Sequence, residues 1–160
     1  MRRVLLALLF ILFAGTGVVM ATPVPVLSVS DGRHQFLGYL ADGGSLVYSY
    51  RHSIYEVPVS ERFTRDGDRL RFLRVTTPDI RVIEYLRWET EIRSDSGFFV
   101  ADAPPMELRE LVIHISAGAE QRLRSGSWDL SLIERFGDGV VRVMPERIAA
   151  LLALVRGLSW

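Results

Sequence analysis

The chain has 160 residues, 49% of them hydrophobic, with 19 basic and 19 acidic side chains and no cysteine. That length suits one domain with its own core, and the charge balance argues against a general binder of polyanions, which needs a basic excess on one face. The missing thiols exclude a disulfide framework, a thiolate zinc site and a cysteine nucleophile.

Every basic residue is arginine, the side chain suited to bidentate pairing with carboxylates; a nucleotide bias of the genome accounts for the same pattern. The first twenty-one residues read as an address. "MRR" is a positive start, "VLLALLFILFA" is an apolar run from Val4 to Ala14, and "VVMA" ends in Ala21 with Val19 two positions earlier. This is the three-part secretory signal, with cleavage expected after Ala21. The alternative is an uncleaved anchor, because Val4–Ala21 carries no charge and about 17–25 such residues span a bilayer.

Strand signals follow. "TPVPVLSVS" alternates from Val24 to Val29, and Asp31-Gly32 and Asp42-Gly43-Gly44 are turns. "GSLVYSYRHS" and "VPVSERFTR" form an extended pair, and Asp66-Gly67-Asp68 turns into "RLRFLRV". "DIRVIEYLRWE" reads as a strand buried on both sides, with a helix as the alternative. "SDSGFFVADAPP" reads as a loop with a short extended core; "ELVIHIS", "QRLRSGSWDLSLIERF" and "GVVRVMP" complete the sheet. Short strands with frequent turns predict a mainly β fold, a single small antiparallel sandwich or partly open barrel. The domain plan is 1–21 signal peptide or N-terminal anchor helix, 22–144 β domain and 145–160 C-terminal helical tail. In that tail Pro145 suits a first helical position and Gly157 a stop. The stripe Ile148, Leu151, Leu152 and Val155 is expected to be buried on an open sheet face or edge. The alternative is a membrane-surface or partner helix, against which its weakly cationic polar face argues.

The stretch "YSYRHSIYEVPVSERF" concentrates the candidate chemistry. Pro58 suits the start of a returning strand. A symmetric hairpin register then sets His52 opposite Glu61 and Tyr50 opposite Phe63, with Tyr48, Tyr50, His52, Val59, Glu61 and Phe63 on one face. A His–Glu pair there either pins the register, at roughly 0.2–1 kcal/mol, or forms a proton-transfer or ligand-binding site. His52 and Ser53 are neighbours on a strand and point to opposite faces, so they do not read as a catalytic couple, and no G-x-S-x-G elbow is present. Glu56 falls in the connecting turn. The other histidines, His34 and His114, are distant in sequence, and no metal-binding spacing occurs; His114 in "LVIHIS" reads as a core residue. Glu89 and Glu91 read as a solvated hairpin end.

The block "SLVYSYRHSIYEVPVSERFTRDGDRLRFLRVTT", with Tyr50, His52, Ser53, Glu56, Val59, Glu61 and Phe63 at matching positions, resembles the exported domain-of-unknown-function 1850 family. The segment "PPMELRELVIHISAGAEQRLRSGSWDLSLIERFGDGVVRV" fits the family's closing strands more loosely. A glycine-rich segment of many members is replaced here by "TTPDIRVIEYLRWE", and the C-terminal helix is not part of the pattern. The resemblance implies an accessory role beside tripartite ATP-independent periplasmic (TRAP-type) transporters, with a transporter receptor or permease component as partner.

The expected function is therefore that of an exported, non-enzymatic binding or accessory module, periplasmic or held at the membrane by its N-terminus. No catalytic residue, metal, cofactor or nucleic acid is expected, and the expected binding residues are Tyr50, His52, Ser53, Glu56 and Glu61. The alternative is a small enzyme or metal-dependent site centred on His52 and Glu61.

Overall fold

Alternating apolar residues bring the first and last strands of the described residues together. In β1 (Pro23–Ser30) Leu27 and Val29 enter the core, and in β12 (Gly139–Ala149) Val141 and Val143 do the same across an antiparallel ladder that pairs Pro23 with Ala149 and Ser30 with Arg142. The computed structural model describes residues 21–159. The expected signal or anchor lies outside them, apart from Ala21.

The fold is mostly β, with two sheets and a short C-terminal helix. The smaller sheet has the order β2 (Gln35–Tyr39), β1, β12 and β9 (Leu111–Ile115). The larger runs β11 (Trp128–Ser131), β10 (Arg122–Ser125), β3 (Ser45–Arg51), β4 (Pro58–Asp66), β5 (Arg69–Thr77), β7 (Phe98–Asp102) and β6 (Ile92–Asp95). A short β8 (Glu107–Leu108) pairs with β5. Among the described residues, three α-helices lie between or after the strands: α1 (Ile80–Leu86), α2 (Leu132–Phe136) and α3 (Ala150–Val155). Both sheets line one core, in which Leu27, Val29, Val141 and Val143 meet Leu46, Phe63, Leu70 and Leu123. Removing each such side chain from water contributes about 1.5–3 kcal/mol.

Two polar contacts help to bind the sheets to each other. The Arg65 side chain, on β4, is fully buried. Its Nη1 donates to the carbonyls of Val26 at 2.8 Å and Leu40 at 3.0 Å, its Nη2 to Glu146 at 2.8 Å, and its Nε to Gly67 at 2.9 Å. Asp42 supplies the counter-charge, Oδ1 lying 3.2 Å from Nε. Burial lowers the guanidinium pKa and the Asp42 carboxylate opposes that shift. At the other contact, the Trp128 indole N–H donates to the Tyr39 carbonyl at 2.9 Å, joining β11 to β2. Gly38 makes this approach possible, because a Cβ there would lie 2.6 Å from Trp128 Nε1.

Several expectations are corrected. "DIRVIEYLRWE" holds a helix, α1, because Asp79 caps it: its Oδ1 accepts from Arg81 N at 3.0 Å. "SDSGFF" is not a loop but the β6–β7 hairpin, turning at Ser96-Gly97. "LIERF" leaves the sheet as α2. His114 is exposed, as is Val112, while Ile113 and Ile115 fill the core, so the alternation holds but the core reading of His114 does not. The tail begins later than expected. β12 continues through Pro145, which pairs with Leu27, and α3 starts at Ala150. Proline is tolerated there because β9 pairs no further than Val143, leaving that flank of β12 as an edge. Of the expected apolar stripe, Ile148 is half-buried on β12 rather than on the helix, and Leu151, Leu152 and Val155 are not buried. Ala153 is the buried residue of α3, while Leu151, Leu152, Leu154 and Val155 are exposed. α3 lies against β1 and β12 through its small side chain rather than its leucines.

Candidate functional site

The β3–β4 hairpin positions the candidate residues. Its ladder pairs Tyr48 with Glu61, Tyr50 with Val59 and Arg51 with Pro58. The expected register, His52 opposite Glu61, is therefore wrong by four residues. An even slip keeps each side chain on its face, so Tyr48, Tyr50, Val59, Glu61 and Phe63 still share the inner side. His52, however, leaves the ladder and begins the turn. Its N–H bonds to the Val57 carbonyl at 2.9 Å, and its carbonyl accepts from Glu56 N at 2.8 Å. Glu56 closes this turn with φ 54°, a left-handed conformation that costs an L-residue about 1–2 kcal/mol and that glycine would adopt freely.

Along the inner face, Glu61 sits in a tyrosine setting. Tyr50 Oη donates to Glu61 Oε1 at 3.0 Å, and the Tyr48 and Tyr50 rings stack at 5.0 Å. Burial raises the Glu61 pKa, and the Tyr50 hydrogen bond offsets part of that rise. Burial also pushes Tyr48 up to about 12 and raises Tyr50 further. Gln121 completes the network by donating to Tyr48 Oη at 2.9 Å and to the His114 carbonyl at 2.8 Å.

At the turn, a cavity of about 250 Å³ is lined by Arg51, His52, Ser53, Glu56, Ser116, Gly118 and Ala119. A second of about 250 Å³ adjoins it through Arg51, and Tyr50, Pro58, Glu120 and Arg122 are among its walls. Three expected site residues, His52, Ser53 and Glu56, thus meet on one rim. Tyr50 lines the neighbouring cavity, and Glu61 lines neither. Arg51 was missed by sequence reasoning. It is the residue common to both cavities, with Nη1 donating to the Glu56 carbonyl at 2.8 Å and Nε 3.3 Å from Glu120 Oε1. Glu120 likewise takes a left-handed backbone, φ 49°. Its contact with Arg51 spans 69 positions of chain, and no local pattern announces it.

The chemistry of this end follows from its hydrogen bonds. His52 Nδ1 accepts from the amides of Ile54 at 3.3 Å and Tyr55 at 3.4 Å. The neutral ring therefore carries its proton on Nε2 and offers a ligand that donor only. Coordinating a metal through Nε2 would move the proton to Nδ1, against two N–H groups. The ring stacks on Tyr55 at 5.1 Å and meets the edge of Tyr85 at 5.9 Å. Arg81 lies over Tyr55 at 4.7 Å, held by Asp79. His52 and Ser53 make no hydrogen bond with each other, so no base activates the hydroxyl. Among the described residues no three His, Asp or Glu side chains cluster closely enough to hold a metal ion. What remains is a shallow, mixed rim of guanidinium, imidazole N–H, hydroxyl and carboxylate on an aromatic base.

The chain matches no protein-family model, no curated protein and no solved structure.

Proposed function

We propose that this protein is an exported, non-enzymatic binding or accessory module, a two-sheet sandwich whose β3–β4 turn is its contact surface. The observation that carries this reading is the convergence of Arg51, His52, Ser53 and Glu56 on one cavity rim without a nucleophile–base hydrogen bond among them. The left-handed Glu56 adds to it: a non-glycine residue held in a costly conformation at a rim points to a use for its side chain. A rim offering donors and acceptors in a shallow surface fits another protein's polar face better than an enclosed small molecule. The resemblance of the hairpin block suggests the partner, a TRAP-type solute receptor or permease component. The compartment follows from the N-terminal signal pattern.

An enzyme centred on His52 and Glu61 is the less favoured reading, because Glu61 lines neither cavity while His52 does. The test is direct binding of the purified chain to the receptor and permease proteins of its own cell, by biolayer interferometry. Ser53→Tyr, which fills the rim, and Arg51→Ala should each weaken binding at least tenfold (about 1.4 kcal/mol) while the melting temperature holds. Unchanged affinity in both variants, or no binding by the native chain, would overturn the proposal.

A further inference from the structure

We propose that the outward face of α3 rests on the lipid surface where the apolar N-terminal run joins the fold, so that the protein stands on the membrane with its β3–β4 turn directed away. This rests on the export reading, with Val4–Ala21 retained as an anchor. The helix exposes four large apolar side chains, Leu151, Leu152, Leu154 and Val155, the last at 75%. Leu151, Leu154 and Val155 share a side at i, i+3 and i+4. Soluble surfaces seldom cluster such residues without a use for them.

This is a fixed element. Ala150 N donates to the Thr22 carbonyl at 2.9 Å, and Leu158 N to Ala153 at 3.0 Å. Ser159 then pairs with β2, its N–H on the Leu37 carbonyl at 2.8 Å and its carbonyl on Tyr39 N at 2.7 Å. Ala153 is buried on the sheet side. The leucines are thus held outward by a backbone secured at both ends.

The occupant follows from where the remaining chain enters. Thr22, one hydrogen bond from the first residue of α3, directly follows the 18 uncharged residues Val4–Ala21, and Arg2 and Arg3 precede them. A run of that length suffices to cross the hydrocarbon, and the arginine pair keeps its start on the cytoplasmic side. Thr22 then emerges at the outer surface, and α3, about 9 Å long, is set down beside it. Six residues would bind a bilayer negligibly by themselves. The anchor supplies the effective concentration that makes their contact favourable, so the weakly cationic helix needs no strong attraction of its own.

The orientation follows as well. Arg65 bonds Val26 and Glu146, close to this end, whereas Pro58 begins β4 at the other. Seven residues of strand separate them, roughly 23 Å. The rim at His52–Val57 would therefore face away from the membrane, toward soluble partners.

The chain has no cysteine, which makes single-site labelling clean. Full-length Leu154→Cys and, at the far turn, Ile54→Cys carry a bimane label after reconstitution into phosphatidylcholine–phosphatidylglycerol vesicles. The Leu154 position should emit further to the blue and be quenched several-fold more by lipid carrying a shallow acyl-chain nitroxide. Equal, water-like emission at both sites would overturn the proposal. So would a blue-shifted but unquenched Leu154 label, which would mean that a second copy or residues 4–20 cover the face. Mass spectrometry of protein from native membranes separates export from the membrane seat. A chain beginning at Thr22 removes the anchor and with it the seat, leaving export intact; an intact terminus with an unquenched label removes the seat alone.

Discussion

Replacing Arg65 with methionine should loosen the two sheets from each other. Methionine is shorter but flexible, apolar and close in volume, so the variant reports the loss of hydrogen bonds more than the loss of volume. The carbonyls of Val26, Leu40 and Glu146 would each lose a guanidinium donor, and Asp42 would lose one of its two ion partners while keeping Arg147. Swapping a buried ion pair for apolar side chains is often harmless, but these acceptors belong to the backbone and cannot be exchanged. An orphaned buried acceptor costs about 1–3 kcal/mol, and the three carbonyls set the scale, because Asp42 is half-exposed and stays paired with Arg147. We expect a loss on the order of 4 kcal/mol, equivalent to roughly 10–15 °C in Tm for a domain of this size. Arg65→Lys should recover only part, since a single ammonium cannot reproduce the planar fork. Thermal and urea unfolding followed by circular dichroism measure both variants. A methionine variant within about 0.5 kcal/mol of the native chain, a typical surface-substitution scale, would refute the claim that Arg65 holds the sheets together.

Other substitutions test other contacts. Glu61→Gln keeps the acceptor for Tyr50 and removes an ionisation that burial opposes. Because the folded pKa is raised, the native chain should lose stability as pH climbs from the ordinary carboxyl value of 4.5 through the raised one, by about 1.4 kcal/mol for each pH unit between the two. The glutamine variant should therefore match it in acid and exceed it at neutral pH; urea midpoints from pH 4 to 8 that show no such gain would contradict the buried carboxylate. Gly38→Ala should cost about 1–3 kcal/mol by overpacking, since its Cβ meets the Trp128 indole, and an unshifted calorimetric Tm would count against that contact. Glu56→Gly should raise stability by relieving the left-handed backbone while weakening partner binding, and a fall in both would mean that the turn geometry has been misassigned.

Side-chain faces were legible in the sequence where registers were not. Tyr48, Tyr50, Val59, Glu61 and Phe63 share the inner face as their alternation requires, but the hairpin loop depends on Glu56 entering a left-handed conformation and on a bond between His52 and Val57. Neither has a local signature, since glycine or asparagine would be the usual residue. The C-terminal helix was legible as a helix. Its start was misplaced because Pro145 reads as a first helical residue, while its tolerance in β12 depends on how far β9 extends. Its burial was misread because period alone cannot tell which side a helix turns to a sheet, and here the small Ala153 is turned inward. In the candidate site, the hairpin supplied His52, Ser53 and Glu56 from one contiguous stretch. The opposite wall, Ser116, Gly118 and Ala119 with Glu120 beside them, comes from a segment brought near only when β10 pairs with β3. Arg65 was hidden among many arginines, all alike in sequence and distinguished only by burial.

The most direct measurement is a photo-crosslinker placed at Ser53 in the full-length protein and activated in intact cells. It should yield an adduct with a transporter receptor or permease component that is absent when the same probe replaces Arg62 on the outer face of β4. No adduct at Ser53, or the same adducts from both positions, would contradict the claim that the β3–β4 turn is the contact surface.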